Sequence, residues 1–277
     1  MERQSIMKRY QQYIFATTET QQSEIISGLL SQYSFTGVEE TENSLTVFFE
    51  EKEGNDEAME QIAEITGAVL TRSMMDDQNW NSLWESNFEP VRVDDFVSIR
   101  ADFHPPTEGV ETEIVITPKM SFGTGHHATT WSMISLMRSI GFTGKKVFDF
   151  GTGTGILAIL ANKMGAASVT AIDNDSWSIN NARENFERNN SSGITLILAD
   201  EVPGKVFDII LANINKNVIL AQLTALRKSM AVGGTLLISG LLCEDEEDIV
   251  KAANSQGLQV KDKLIRANWL CLKLSDI

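Results

Sequence analysis

The segment Val147-Phe148-Asp149-Phe150-Gly151-Thr152-Gly153-Thr154-Gly155-Ile156-Leu157 constrains this chain more than any other stretch. An apolar run enters three alternating glycines and leaves them in a helical pattern. Glycine admits positive φ, and its missing side chain lets a ligand approach the backbone. A strand, turn and helix of this kind place the turn at the carboxyl edge of a doubly wound sheet, where ligands bind. A phosphate-binding P-loop needs a lysine after its last glycine, and none follows here. A GxGxxG dinucleotide fingerprint fails when counted from Gly151, because the sixth position is Ile156. Counted from Gly153, the sixth position is Ala158, which the looser form tolerates.

The surrounding pattern agrees with such a sheet. Strands are predicted at Lys146–Phe150, Ser168–Asp173, Ile194–Ala199, Phe207–Ala212 and Thr235–Ser239. Helices are predicted at Ile156–Met164, Trp177–Asn189, Val218–Met230 and Glu244–Ser255. This alternation reads as a parallel sheet covered on both faces. Leu258–Ile265 and Leu270–Leu274 have no helix between them, which implies an antiparallel edge hairpin. Asp173 closes its strand 22 residues after Gly151. A carboxylate there accepts two hydrogen bonds from vicinal ribose hydroxyls, a sugar that NAD and S-adenosylmethionine share.

Before residue 93 the chain has another character. Tyr10–Thr17, Ser44–Glu50 and Val69–Ser73 read as strands, and Gln21–Gln32 and Glu57–Thr66 as helices. Residues 1–74 are therefore expected to form a small α+β domain of ferredoxin-like layout. Residues 75–92 are expected to be a linker helix, with Trp80, Trp84 and Phe88 on one packing face and Pro90 ending it. Residues 93–277 form the α/β domain. Val97–Phe103 and Glu113–Thr117 are strands that lead into its glycine-rich parts.

Composition narrows the class. Hydrophobic residues make up 42% and charged residues 22%, which excludes wholesale disorder. The two cysteines, Cys243 and Cys271, fit no disulfide framework or zinc spacing. The charged start and the lack of a long apolar run point to a cytoplasmic protein with no membrane segment. A net charge of −15 is a poor footprint for nucleic acid and suits a basic partner better. The acidic Glu50–Glu60 stretch is read chiefly as a solvated loop and helix start, and Glu244–Asp248 as acids that suit a helix dipole.

Two further segments carry chemistry. Phe207-Asp208-Ile209-Ile210-Leu211-Ala212-Asn213-Ile214-Asn215 delivers Asn213 to the same sheet edge as the glycine turn. It resembles the Asn-centred signature of amino-group methyltransferases, with Asn-Ile-Asn-Lys in place of the commoner Asn-Pro-Pro-aromatic form. Asn213 can otherwise be a turn residue that satisfies local backbone. Upstream lies Phe122-Gly123-Thr124-Gly125-His126-His127-Ala128-Thr129-Thr130, followed by a helix from Trp131 to Ile140. A carboxylate, such as that on a methionine moiety, can dock at such a helix start. His126 and His127 are read as helix-start residues, one of them near the cofactor, ahead of a general base or a metal pair. Asp200 is read equally as an adenine contact or a solvated turn.

Taken in order, FGTGHHATT, VFDFGTGTGILAILANKMGA, AIDND, LANI and the tail SGLL…NWLCL resemble the PrmA family. These are the methyltransferases of large-subunit ribosomal protein L-eleven. The resemblance covers residues 76–277 well and the first 75 in layout. His126-His127-Ala128 departs from the family's common Thr-His-Pro. The resemblance implies a Rossmann-like class I methyltransferase domain that uses S-adenosyl-L-methionine and no metal. Thr130, Gly151, Asp173 and Asn213 fall on the family's cofactor-binding positions. To these the turn adds Gly153, and the upstream segment adds Phe122, Gly123 and Thr124. Asn213 is also expected to position the substrate amine. The expected partner is a basic ribosomal protein, recognised by the small domain, and a monomer is expected. Methyl transfer to another protein or a small amine, a nicotinamide-dependent oxidoreductase, and a cofactor-binding module without catalysis are the alternatives.

Overall fold

The computed structural model describes residues 9–17, 20–30, 33, 35–41, 43–76, 89–117 and 125–277. The chain divides into two compact units, Met1–Ser86 and Asn87–Ile277.

The first unit runs β1 (Arg9–Ala16), α1 (Thr20–Leu30), β2 (Gly37–Thr41), β3 (Ser44–Glu50), α2 (Asp56–Thr66) and β4 (Val69–Asp76). Its sheet has the order β2-β3-β1-β4 and is antiparallel throughout. This is the βαββαβ arrangement of a ferredoxin-like sandwich. Alternation puts Tyr13 and Phe15 with Leu45, Val47 and Phe49 on one face, against Ile26, Leu30, Met59 and Ile62 of the helices. Strand β2 is absent from the sequence reading because GVEET, an edge strand with exposed Val38 and Glu39, carries no apolar alternation.

The described ends of the 75–92 stretch are extended. Its first two residues finish β4, and Val91–Val93 form β5. The tryptophan stripe at Trp80 and Trp84, with Phe88, lies outside the described residues. Strand β5 pairs antiparallel with β6 (Val97–Ala101), which pairs in parallel with β7 (Thr112–Ile116). This three-stranded sheet precedes helix α3 (Ala128–Met137).

The main sheet follows. Strands β8 (Lys146–Phe150), β9 (Ser168–Asp173), β10 (Ile194–Leu198), β11 (Phe207–Asn213) and β12 (Met230–Leu242) are parallel. Strands β13 (Leu258–Arg266) and β14 (Trp269–Asp276) form the antiparallel hairpin, giving the order β10-β9-β8-β11-β12-β14-β13. The helices are α4 (Ile156–Lys163), α5 (Ser176–Arg188), α6 (Lys216–Lys228) and α7 (Glu246–Ser255). Period-two alternation sorts the strands onto two cores. Val147, Ile209 and Leu211 join α3, α4 and the three-stranded sheet on one face. Phe148, Phe150, Ile210 and Ala212 join α6 and α7 on the other. Among the described residues no helix is long and apolar enough to cross a membrane.

Candidate active site

The glycine turn leaves β8 at the carboxyl edge and is held by the end of β9. Gly151 and Thr152 donate backbone N–H groups to Ile172 O at 3.0 and 2.9 Å. Gly151, Gly153 and Gly155 have φ of +74°, +54° and +82°, a region that L side chains resist. A Cβ at Gly151 would lie 2.4 Å from Ile214 Cγ2, so the residue that follows β11 closes on the turn from one side.

Asp173 ties the glycine turn to the start of the next helix. Its Oδ2 accepts Gly153 N–H at 2.8 Å and its Oδ1 accepts Asp175 N–H at 3.0 Å. A carboxylate offers about four acceptor sites, so about two remain for a ligand's hydroxyls. Asp175 caps α5, accepting the Trp177 and Ser178 amides, and these bonds hold its carboxyl below the usual range.

Asn213 ends β11 one residue past the pairing of Ala212 with Phe150, so it stands beside Gly151. Its Nδ2 donates to Thr130 Oγ1 at 3.3 Å. Its Oδ1 is buried with no hydrogen-bond partner among the described residues. An amide oxygen left this way costs about 1–3 kcal/mol, so the fold holds an acceptor ready for a donor. The local turn role falls instead to Asn215, whose side chain accepts Val218 N–H at 3.1 Å and caps α6. The next strand supports the same corner. At Gly240, with φ +84°, an added Cβ would sit 2.2 Å from Ile214 O. Lys216, paired with Asp245 at 2.9 Å and Asp248 at 2.7 Å, ties the start of α6 to the turn after β12.

Thr130 lies in the first turn of α3 and is buried, and His127 is the N-cap of that helix. The His127 ring accepts Thr129 N–H at 3.3 Å and packs edge-on against Trp269 at 4.6 Å. Burial lowers its affinity for a proton. His126 bonds Glu89 O at 3.0 Å. Both histidines hold the helix start in place. Among the described residues no group of three His, Cys, Asp or Glu side chains is arranged to hold a metal.

The structure therefore brings together Thr130, Gly151, Gly153, Asp173 and Asn213. Phe122, Gly123 and Thr124 lie outside the described residues. Asp200 is exposed just after β10. Sequence reasoning passed over Asp149, an acid inside an apolar strand and 1% exposed. Its Oδ2 accepts the Thr152 hydroxyl at 2.6 Å, and its Oδ1 has no partner among the described residues. Burial pushes its carboxyl up to about 7, the Thr152 bond opposes this, and the Asp173 charge adds to it. The legible signal was a charge where alternation demands an apolar residue.

The family model described as ribosomal protein L11 methyltransferase (PrmA) matches residues 5–276. The chain belongs to the PrmA family. A ribosomal protein L11 methyltransferase of Porphyromonas gingivalis is 43% identical over 203 residues, 72% of this chain and 70% of that one. One from Phocaeicola vulgatus is 37% identical over 260 residues, 91% of this chain and 92% of that one. The solved structure of a ribosomal protein L11 methylase from Lactobacillus delbrueckii subsp. bulgaricus superposes with a TM-score of 0.62. It is 28% identical, and the match covers 68% of this chain and 98% of that one. The seven-stranded unit is thus a class I methyltransferase domain. PrmA membership also agrees with the ordered motifs that run from the upstream glycines to the Trp269 strand.

Proposed function

We propose that this chain transfers methyl groups from S-adenosyl-L-methionine to amino groups of ribosomal protein L11, at lysine side chains, the N-terminal amine or both. The carrying observation is the buried Asn213 Oδ1 beside the glycine turn, without a partner among the described residues. When bound, S-adenosylmethionine supplies an electrophilic methyl carbon on a sulfonium.

The chain's own residues supply the rest. Gly151 and Gly153 offer bare backbone for close approach, and Asp173 has acceptor capacity for ribose hydroxyls. Thr130 orients the Asn213 amide through its hydroxyl. By sequence, Phe122, Gly123 and Thr124 precede the same helix start and join this cofactor set. A charged lysine has no lone pair and a pKa near 10.4, and an α-amino group lies near 7.8. Desolvation at the edge of the apolar core favours the neutral amine. Asn213 Oδ1 accepts an N–H from that amine, aims its lone pair and stabilises positive charge developing on nitrogen. A carboxylate at this position would hold the ammonium form instead. The net charge of −15 suits a basic substrate in the cytoplasm.

The test is mass spectrometry of unmodified ribosomal protein L11 incubated with the purified chain and S-adenosylmethionine. Successive additions of about 14 Da, one per methyl, are expected. An unchanged mass with an active relative as control would overturn the reading.

A further inference from the structure

Helix α5 carries Asn181 and Asn185, and its C-cap is Asn189, four residues apart in turn, so their amides line one face. All three are buried, Asn185 completely. A buried amide must place its donors and its acceptor, and Asn185 places them on two different elements. Its Nδ2 donates to Thr154 O at 2.8 Å, inside the glycine turn. Its Oδ1 accepts Thr117 N–H at 2.8 Å, one residue beyond β7. A further contact of Nδ2, to Asn181 Oδ1 at 3.4 Å, fixes the side chain. Asn189 is bonded differently. It accepts Val115 N–H at 3.0 Å and donates to Val115 O at 2.6 Å and Asn185 O at 2.8 Å, so its bonds run to β7 and its own helix.

We propose that Asn185 is a positioning residue, whose one side chain sets the separation between the glycine turn and the end of β7 and thereby the affinity for S-adenosylmethionine. The proposal rests on the cofactor reading above. Three glycines at positive φ give the turn freedom that ligand binding would otherwise have to remove, and a fixed carbonyl at Thr154 removes it in advance. On the other side, Thr117 leads in sequence directly into residues 118–124. Its own Oγ1 is buried and without a partner among the described residues.

Asn189 is the internal control, since Asn189→Ala strips comparable bonds without touching the turn. Calorimetric titration with S-adenosylmethionine, steady-state kinetics and thermal melts of the full chain separate the two roles. Asn185→Ala should raise Kd and KM for S-adenosylmethionine about tenfold or more, with kcat within about twofold. Asn189→Ala should lower Tm comparably and leave both constants within about twofold. Equal rises in both variants, or a lower Tm alone in Asn185→Ala, overturn the proposal. If Asn185→Ala does not fold, hydrogen exchange on the unaltered protein decides. S-adenosylmethionine should slow exchange of the Thr117 amide, and an unchanged rate overturns the inference. Unaltered protein that binds no S-adenosylmethionine overturns the proposed function itself, before any variant is compared.

Discussion

Asn213 and Asp149 each bury an oxygen with no partner among the described residues, yet the two oxygens answer to different physics. Asn213 Oδ1 is neutral and stands where a substrate N–H is proposed to arrive. Asn213→Ala is therefore expected to cut kcat by about 10²–10³-fold while stability changes by less than about 1 kcal/mol. Turnover near the original rate would remove Asn213 from the mechanism. Asp149 is ionisable, and its carboxyl rises from 3.8 to about 7 on folding. Between these values the folded chain keeps a proton that the unfolded chain releases. Stability should therefore fall as pH rises through about 4 to 7, by up to about 1.4 kcal/mol per unit, and then level off. Denaturant midpoints measured across that range should show the slope in the native chain and a flatter profile in Asp149→Asn.

At the scale of elements, the site depends on how closely β11 and β12 approach at their carboxyl ends. Gly240 of β12 faces backbone, Ile214 O at 2.2 Å from an added Cβ, and backbone cannot rotate away. Gly151 faces only the Cγ2 tip of the Ile214 side chain. Gly240→Ala should thus destabilise by roughly 2–5 kcal/mol and displace Asn213, whereas Gly151→Ala should cost nearer 1–2 kcal/mol. Thermal melts of the two variants give the ranking, and the reverse order would contradict this account of the corner. The same elements show what sequence reading reaches. Strands β3, β8 and β9 match their predicted bounds because each is a short run rich in β-branched and aromatic residues. Strand β12 spans Met230–Leu242 rather than Thr235–Ser239, since Met230 pairs with Phe207 and the turn-like Ala231-Val232-Gly233-Gly234 falls in the register shift before pairing resumes at Thr235. Strand β5, three residues long, is too short to show a period.

At the scale of the molecule, each unit has its own core. The small sheet packs on α1 and α2, and the seven-stranded sheet buries both faces. A chain cut to Asn87–Ile277 is expected to melt cooperatively and to bind S-adenosylmethionine with about the native Kd, within roughly threefold. It is also expected to lose methylation of intact ribosomal protein L11. Circular dichroism, a cofactor titration and mass spectrometry of the substrate check these outcomes, and full retention of methylation would leave the first unit without a role in recognition. The sequence alone determined the parallel order of strands and helices, the glycine turn and Asp173 and Asn213 at strand ends, because local period and residue type encode these. Only tertiary structure decided that Asn213 meets Thr130, that Asp149 is buried beside the Thr152 hydroxyl and that Asn185 bridges two elements. Each of these needs groups distant in the chain to be brought within hydrogen-bonding distance, and no local pattern records such a distance.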